Sequence, residues 1–508
     1  LKNLSACVIR CLKSELELCL KSLNSFNCIN DFKIGSFDKP DRLHISQKLY
    51  GRENEIRTLF ETYEKVSNGS LEFILVGGYS GIGKTSLVQE IYKPIVKTNS
   101  YFCKGKFEQF QRHIPYSAVS QACSSLVRQI LSESENSINT WKLKLINALG
   151  VNAQIIIDLV PELEKILGVQ PIVQELNSLE SQNRFHLTFL KFLQLFAVKE
   201  HPLVFFLDDL QWSDIASLNL LQNIISGKKL NYFLLIGSYR DNEINEYHPL
   251  NLCLDELEKE TKINKISLKP LDEITVNMII SDTLNKPEQE TKPLSGIIHR
   301  KTNGNPFFIN ELLKNIYKKK ILSFNFNDYY WEWDLVKLEK LEVSENVADL
   351  ILQKFQELSE KEIEILKITS CIGNTFDLKT LATVIKKPLP TIIKTLSKLI
   401  ETGAIIPINT SYRELKFLNG DSSLLNSEYK YHHDKVQQAA YLLNEQNEIA
   451  SLHLLIGKRM LTNMQDKEIE TKIIEIVEQL NNGKDLILNN SEKIELAALN
   501  LRAGKKAK

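Results

Sequence analysis

The chain has 508 residues, of which 43% are hydrophobic and 25% are charged, and its 63 basic residues balance its 63 acidic ones. This composition is typical of a globular protein, and the length predicts about three or four domains. A net charge of zero argues against a non-specific nucleic-acid binder, which needs an excess of basic residues to neutralise phosphates.

The location of the protein is predicted from a few simple features. The longest apolar stretches are only strand-sized, so we expect no membrane-spanning segment. The eight cysteines form no CxxC pair, which is typical of small apolar residues in a reducing compartment. The chain begins with Leu1 and has no basic segment followed by an apolar one. We therefore expect a cytoplasmic fragment or an incompletely defined reading frame without a secretory signal.

The first 47 residues predict a helix followed by a linker. Apolar residues recur at helical spacing to about residue 25, and Asn, Asp, Pro and Gly are frequent from 27 to 47. A second helix is predicted at 51–66 and a short apolar strand at 73–76.

The segment after this strand fits the pattern G-x-x-x-x-G-K-[ST] in full, from Gly78 to Thr85. Glycines in such a loop let backbone N–H groups converge on phosphates, and the following helix, predicted at 85–92, adds its N-terminal partial positive charge. We expect Lys84 to reach the β- and γ-phosphates of a nucleoside triphosphate and the Thr85 hydroxyl to ligate Mg²⁺. The alternative is an ordinary glycine-rich turn between a strand and a helix.

Strands then alternate with helices, which predicts βαβ units and a parallel sheet. A strand at 101–107 precedes a mostly helical stretch at 116–198, and further strands follow at 203–207 and 232–239. We interpret the helical stretch as an insertion in a nucleotide-binding domain at 48–247.

Two acidic residues end the strand at 203–207. Because α/β proteins bind ligands at the carboxyl ends of their strands, Asp208 is predicted to hold Mg²⁺ and Asp209 to polarise the attacking water. The alternative is a strand that merely ends in a solvated Asp-Asp turn.

Arg240 ends the next strand, from which it could contact the γ-phosphate and report whether that group is present. The alternative is a surface arginine paired with Asp241 or Glu243. From the sequence alone the two interpretations are about equal.

Residues 248–330 predict a helical lid with a strand-like interruption at 265–271. Within the lid, Gly304 permits an unusual backbone angle, and Pro306 offers a flat apolar surface to an adenine ring. The alternative for this turn is a simple helix start with Pro306 near the first helical position.

Residues 340–445 predict a winged-helix domain, because several helices precede two strands. The predicted elements are helices at 344–358, 360–372, 378–385 and 391–402, followed by strands near 403–406 and 429–432. Residues 446–508 predict further helices to the end of the chain.

Taken in order, these segments resemble the STAND class of signal-transduction ATPases, and most closely the AAA-type predicted-ATPase module of bacterial multi-domain serine/threonine and hybrid histidine kinases. The matching motifs are Tyr-Gly-Arg-Glu at 50–53, the phosphate loop, Lys-Phe-Glu-Gln-Phe at 106–110, Leu-Asp-Asp-Leu-Gln-Trp at 207–212, Tyr-Arg-Asp at 239–241, Gly-Asn-Pro-Phe-Phe at 304–308 and His-Asp at 433–434. The full set of motifs in this order is far more specific for this class of ATPases than most of the single motifs are. It implies an α/β P-loop NTPase domain with a parallel sheet, followed by a helical lid, a winged helix and the start of an α-helical superhelix.

The resemblance also implies roles for residues at matching positions. Arg52 would lie near adenine, Arg240 would sense the γ-phosphate, Pro306 would pack on adenine, and His433 would close on the β-phosphate in an ADP-locked state. For His433 the alternative is a core histidine that holds a helix start. The predicted nucleotide-binding residues are Arg52, Gly78, Ser80, Gly81, Ile82, Gly83, Lys84, Thr85, Ser86, Pro306 and His433. The predicted metal ligands are Thr85 and Asp208, and the predicted catalytic residues are Lys84, Asp209 and Arg240.

The setting of the module is implied in the same way. Residues 1–47 resemble the tail that follows a serine/threonine kinase domain, although the chain itself has no kinase catalytic motif set. The helices at 446–508 resemble the start of a TPR-like superhelix that binds protein partners, and the module could form a nucleotide-dependent oligomer. Asp209 stands where many active P-loop ATPases have Glu, which implies slow hydrolysis of ATP to ADP.

Three functions follow for the chain. The first is an ATP-driven regulatory switch in a multi-domain signalling protein, with ATP or ADP and Mg²⁺ as its ligands. The second is a DNA-binding ATPase of the origin-recognition or transcription-regulator type, for which the helix near 388–402 carries Lys394 and Lys398 but no Arg, Asn or Gln. The third is a scaffold that holds nucleotide with little hydrolysis.

Overall fold

The computed structural model describes residues 16–17, 19–20, 22–24, 43–98, 100–109, 114–174, 176–227, 229–325, 330–341, 355, 358–408, 427–432 and 434–507. Most of the predicted helix at 344–358, most of the predicted linker at 27–47, and His433 lie outside the described residues. No helix in the described ranges is long and apolar enough to cross a membrane.

The chain divides into two compact units. The first, here called the loop unit, comprises Leu1–Thr58, Gly78–Glu90 and Ser267–Glu345. The second, here called the sheet unit, comprises Leu59–Gly77, Ile91–Ile266 and Asn346–Lys508. The predicted domain boundaries stay predictions.

Helices make up most of the described chain. The α-helices are α1 (Glu53–Ser67), α2 (Lys84–Gln89), α3 (Tyr92–Thr98), α4 (Ser117–Leu131), α5 (Glu135–Leu149), α6 (Ala153–Leu159), α7 (Glu164–Leu167), α8 (Ser178–Phe196), α9 (Ile215–Ser226), α10 (Pro249–Glu260), α11 (Glu273–Leu284), α12 (Glu288–Thr302), α13 (Pro306–Lys318), α14 (Leu335–Lys340), α15 (Glu360–Ile372), α16 (Leu378–Ile385), α17 (Leu389–Glu401), α18 (Asp434–Leu442), α19 (Gln446–Asn463), α20 (Asp466–Asn482) and α21 (Asn490–Ala507). The strands are β1 (Leu71–Gly77), β2 (Tyr101–Lys106), β3 (Leu203–Asp208), β4 (Phe233–Tyr239), β5 (Asn264–Ser267), β6 (Leu322–Asn325), β7 (Tyr330–Trp333), β8 (Thr375–Asp377), β9 (Ile405–Pro407) and β10 (Glu428–Tyr431).

A five-stranded sheet with the order β2-β3-β4-β1-β5 organises the sheet unit. The pairings of β2 with β3, β3 with β4 and β4 with β1 are all parallel. Strand β3 is buried along its whole length, as expected for an apolar strand in the interior of a sheet. The register places Lys106 opposite Asp208, and Gly77 opposite Tyr239. The predicted P-loop NTPase fold with a parallel sheet is therefore confirmed.

The stretch at 116–198, predicted to be mostly helical, contains helices α4 to α8, and its role as an insertion in a nucleotide-binding domain stays a prediction. Its core joins the core of the sheet, and Trp141 stacks on Phe196 with a centroid distance of 4.8 Å. An aromatic pair of this kind anchors the insertion beside β2, because Tyr101 of that strand meets both rings edge-on at 6.3 Å.

The winged helix forms from α15, α16 and α17 with a three-stranded antiparallel sheet in the order β8-β10-β9. Tyr429 stacks on Phe376 with a centroid distance of 5.8 Å, and the buried Tyr431 hydroxyl donates to the carbonyl of Leu366 at 3.0 Å. The helices α19, α20 and α21 follow and pack against one another in sequence, consistent with the start of a superhelix. The three-residue strand β8 is not predicted from the sequence.

The loop unit contains the segment from Gly78 to Glu90 together with α11 to α14 and the hairpin β6–β7. The apolar faces of these helices and of the hairpin form one core. The hairpin is not predicted from the sequence, because its strands are four residues long and mix aromatic with polar side chains.

Candidate functional site

The segment Gly78–Gly83 forms a tight loop between β1 and α2, and Lys84 and Thr85 are the first two residues of α2. Gly78, Gly81 and Gly83 have φ angles of 146°, 77° and 101°, a region that non-glycine residues rarely adopt. The ammonium of Lys84 is buried and donates hydrogen bonds to the carbonyls of Gly78 at 2.7 Å and Tyr79 at 3.0 Å. The backbone thus has the curvature of a phosphate-binding loop, with its lysine inside the curve.

The loop also contains a polar group that a ligand could satisfy. Among the described residues, the buried hydroxyl of Ser80 has no hydrogen-bond partner. A buried hydroxyl without a partner is costly, so such a group often marks a binding position. The glycine curvature, the Ser80 hydroxyl, the start of α2 and the Lys84 ammonium all suit a phosphate group.

The lid turn at 304–307 packs against this loop, and both lie in the loop unit. The side-chain amide of Asn305 donates to the Ser80 carbonyl at 3.0 Å, and the backbone N–H of Phe307 donates to the Gly81 carbonyl at 3.3 Å. From the sequence, Asn305 and Phe307 are only members of the motif at 304–308, and roles in this turn are predicted for Gly304 and Pro306. Gly304 does have a positive φ of 68°.

Pro306 is the first residue of α13, as the simpler interpretation of the turn predicts. Its contact with adenine stays a prediction. Arg52 is buried, and its guanidinium donates to the Lys269 carbonyl at 2.6 Å. Burial lowers the pKa of Arg52, an effect that the charges of Glu55 and Glu53 oppose. A buried guanidinium with a backbone partner stabilises the loop unit, and its role near adenine also stays a prediction.

Asp208 lies at the carboxyl end of β3 in the sheet unit, and it is 5% exposed. Its carboxylate accepts a hydrogen bond from the Ser238 hydroxyl and lies 3.7 Å from the Lys104 ammonium. The alternative of a solvated Asp-Asp turn is wrong, because Asp208 and Asp209 are both buried.

Asp209 adopts a left-handed conformation with a φ of 59°, which is uncommon for a residue other than glycine. Its Oδ1 accepts from Gln211 at 2.9 Å and from Nε of Arg240 at 3.2 Å. Its Oδ2 lies 3.3 Å from the Lys106 ammonium. Backbone strain of this kind at a buried acid is typical of functional sites.

Arg240 is buried, with 2% of its surface exposed, so the alternative of a surface arginine is wrong. Its predicted partner Glu243 is confirmed, with an Nη1–Oε1 distance of 2.8 Å. Arg240 also bonds Asp209, stacks over the Trp212 ring at 4.4 Å, and donates from Nη2 to Asp434 at 2.6 Å.

Asp434 is the first residue of α18. It connects the winged helix to the carboxyl ends of the parallel strands, here called the edge of the sheet. One of its oxygens accepts from Arg240, and the other bonds the Lys106 ammonium. Two carboxylates, Asp209 and Asp434, therefore share two cations, Lys106 and Arg240. We call these four residues the edge network; the residues that it brings together are as far apart in the chain as 106 and 434.

The charges in the edge network stabilise one another. Burial favours neutral forms, but the neighbouring carboxylates raise the pKa of both Lys106 and Arg240 above their ordinary values. Burial raises the pKa of Asp209, as do Asp208 and Asp434, whereas Lys106 and Arg240 act in the opposite direction. A raised pKa brings a carboxylate closer to the range in which it can act as a general base.

Glu108 makes a second connection between the end of β2 and the winged helix. It accepts hydrogen bonds from the Asn374 N–H at 3.2 Å and the Thr375 hydroxyl at 3.1 Å. Burial raises the pKa of Glu108 to about 7, although the charge of Lys106 and these hydrogen bonds oppose that shift. From the sequence, Lys106 and Glu108 are only members of the motif at 106–110, and no role is predicted for either.

Comparison with known proteins identifies the domain family of residues 48–236. Residues 48–236 match the family model of the AAA ATPase domain, a range that includes the phosphate loop and Asp208. The chain carries an AAA ATPase domain.

Two of the proteins to which the chain is similar are histidine kinases. The chain is 31% identical over 578 residues to hybrid signal transduction histidine kinase G of Dictyostelium discoideum, covering 94% of this chain and 17% of that protein. It is 22% identical over 462 residues to the peroxide stress-activated histidine kinase mak3 of Schizosaccharomyces pombe, covering 73% of this chain and 19% of that protein. The chain thus spans less than a fifth of the length of either relative. The predicted AAA-type ATPase module of a kinase-related protein is confirmed.

One solved structure matches the chain at low sequence identity. It is a signal transduction ATPase with numerous domains (STAND) from Pyrococcus horikoshii that carries a tetratricopeptide repeat sensor. It is 14% identical to this chain, with a TM-score of 0.45, and the match covers 92% of this chain and 54% of that one.

Proposed function

We propose that the chain is an ATP-driven conformational switch within a longer signalling protein, and that it binds ATP and ADP with Mg²⁺. The match to the AAA ATPase domain and the kinase relatives support this role. The curvature of the phosphate loop and the Ser80 hydroxyl support binding of a phosphate group there. The signal that enters the switch and the partner that receives it belong to the longer protein.

In this proposal each polar residue has a separate task. Lys84 and the N–H groups of the loop would bind the phosphates, and Thr85 and Asp208 would hold Mg²⁺. The metal, when bound, would neutralise charge on the phosphates. Asp209 orients and deprotonates the attacking water, and its pairing with Lys106 and Arg240 restrains it, which supports slow hydrolysis.

The observation that carries the proposal is the double role of Asp434 in the edge network. Asp434 belongs to α18, yet it neutralises Arg240, the residue proposed to sense the γ-phosphate. A γ-phosphate that bonds Arg240 competes with Asp434 for the same guanidinium, whereas ADP offers no such competitor. The nucleotide state would therefore change how firmly α18 is held at the edge of the sheet.

The size of the coupling between nucleotide state and α18 is estimated from the hydrogen bond between Arg240 and Asp434. A hydrogen bond between charged groups contributes about 1.5–3 kcal/mol, which corresponds to a factor of roughly 10 to 150 in an equilibrium constant. Complete reversal of a 1:99 equilibrium needs about 5.5 kcal/mol. Competition at Arg240 thus supplies a substantial part of a switch, and the second cation, Lys106, offers a further contribution.

The test compares the affinities of a non-hydrolysable ATP analogue and ADP in the wild-type chain and in Asp434→Asn. The variant weakens the hold on Arg240 and Lys106, so we expect the ratio of ATP-analogue affinity to ADP affinity to rise by about tenfold. Asp377→Asn is the matched control, because Asp377 also starts a winged-helix element and pairs with Lys472, away from the edge network. An unchanged ratio in Asp434→Asn would contradict the proposal.

Among the residues of the winged helix that the structure describes, none adds an observation that favours DNA binding. On α17, the helix considered for base recognition, the Lys398 ammonium lies 3.3 Å from the Glu362 carboxylate. An intramolecular pair of this kind leaves less positive charge for a phosphate backbone.

A further inference from the structure

The side chain of Asn305 uses both ends of its amide. Its NH₂ group donates to the Ser80 carbonyl at 3.0 Å, and its oxygen accepts the backbone N–H of Phe307 at 3.0 Å. The second bond caps the N-terminus of α13. Asn305 is 8% exposed, and both bonds are partly buried. One residue therefore caps a lid helix and holds the phosphate loop.

The fit between the lid turn and the loop is close. A Cβ atom at Gly81 would lie 2.7 Å from Cβ of Phe307, and one at Gly304 would lie 2.0 Å from the Leu271 carbonyl oxygen. The N–H of Leu271 in turn donates to the Gly304 carbonyl at 2.9 Å. Only glycine fits at either position, and the turn has little freedom to shift along the loop.

The hydrogen bond to Ser80 also determines a backbone orientation. The carbonyl of Ser80 and the N–H of Gly81 belong to one peptide group, and in a trans peptide these two point in opposite directions. Anchoring the carbonyl to Asn305 on the lid side directs the Gly81 N–H away from the lid. A phosphate loop depends on such N–H groups being fixed before the ligand arrives.

We propose that Asn305 is a positioning residue, which orients the Ser80–Gly81 peptide for phosphate binding and transmits occupancy of the loop to helix α13. This inference deepens the proposed function and rests on nucleotide binding at the loop. It is separate from the role predicted for Pro306, because it concerns phosphate and not adenine. The loop and the start of α13 then respond to the nucleotide as one body.

Two variants separate positioning from helix capping. Asn305→Ser keeps a good N-cap oxygen but is too short to reach Ser80, and Asn305→Asp keeps the cap while placing an acceptor against the Ser80 carbonyl. Asp272→Ser is the matched control, because Asp272 caps α11 of the same unit through the Thr275 N–H at 2.8 Å. All three keep an oxygen at the N-cap, so thermal unfolding without nucleotide should change little.

The experiment measures dissociation constants for fluorescent ADP and for a fluorescent ATP analogue, together with hydrogen exchange at 305–313. We expect Asn305→Ser to weaken binding of both nucleotides by about three- to tenfold, Asn305→Asp to weaken it further, and Asp272→Ser to have no effect. We also expect nucleotide to protect the start of α13 in the wild-type chain and to protect it less in Asn305→Ser.

The possible failures are distinguishable. If the wild-type chain binds both nucleotides and the two Asn305 variants bind them equally well, the positioning role is wrong while the proposed function stands. If the wild-type chain binds neither nucleotide, the proposed function is wrong and this inference with it. If only the unfolding temperature falls and the affinities do not change, Asn305 is a helix cap and nothing more.

Discussion

Replacing Asp209 by Asn separates the chemical role of this residue from its structural one. Asn tolerates the left-handed conformation at least as well as Asp, so the φ of 59° adds no backbone strain to the variant. Both carboxylate oxygens are engaged, by Gln211 and Arg240 on one side and by Lys106 on the other. The substitution removes one negative charge from the edge network and nothing from the backbone.

The expected magnitudes differ for stability and catalysis. Removing one member of a buried ion pair costs about 3–5 kcal/mol, but Asp434 continues to neutralise both cations, so we expect a loss of only about 1–2 kcal/mol in the free energy of unfolding. Removing a general base slows a reaction by about 10²–10⁴-fold. Hydrolysis by Asp209→Asn should therefore fall by at least a hundredfold while the affinity for ATP changes little.

The assay is single-turnover hydrolysis of ATP, with urea unfolding measured on the same preparation. Because the base must be deprotonated, the wild-type rate should fall as the pH drops through the raised pKa of Asp209. A variant that hydrolyses ATP within about threefold of the wild-type rate would refute the role of Asp209 in this reaction. A wild-type chain that binds ATP and releases no phosphate would favour the nucleotide-holding scaffold.

Two further predictions concern single side chains. Lys84→Ala removes the ammonium that lies inside the phosphate loop, so ATP affinity should fall at least about tenfold in a binding titration, and unchanged affinity would contradict phosphate binding by this loop. Glu108, with a pKa raised from 4.5 to about 7, holds a proton in the folded state that the unfolded chain loses. Stability should therefore fall between about pH 4.5 and 7 and level off above, by at most about 3 kcal/mol. Urea unfolding of Glu108→Gln across this range should show a smaller fall, and an identical pH dependence would contradict the assignment.

The sequence predicts the strands of the parallel sheet well. Strands β1, β3 and β4 are short apolar runs that end in, or are followed directly by, glycine or a charged residue, a pattern with few other solutions in an α/β protein. The helices at 360–372 and 378–385 are also predicted to the residue, because charged and apolar positions alternate with helical spacing. Short strands such as β8 have too few residues to show the alternation of apolar and polar side chains that predicts a strand.

The site is predicted less completely, because its key contacts are distant in sequence. The positions of Asp208 and Asp209 at the carboxyl end of a strand are predicted from the local sequence alone, because both follow an apolar run. The partners of Arg240 do not follow in this way, since Asp434 lies 194 residues away, beyond the lid and most of the winged helix. The contacts of Asn305 and Phe307 with the phosphate loop are not predicted for another reason. They act through a side-chain amide and a backbone N–H on the loop carbonyls, and no residue pattern marks such contacts.

The most direct test of the switch is the hydrogen exchange of α18 in the wild-type chain, compared between saturating ADP and a saturating non-hydrolysable ATP analogue with Mg²⁺. If the γ-phosphate competes with Asp434 for Arg240, the amides of Asp434–Leu442 should exchange faster with the ATP analogue than with ADP. The same comparison in Arg240→Met should show no difference between the nucleotides. Equal exchange of α18 with both nucleotides in the wild-type chain, with binding of both established, would contradict the account.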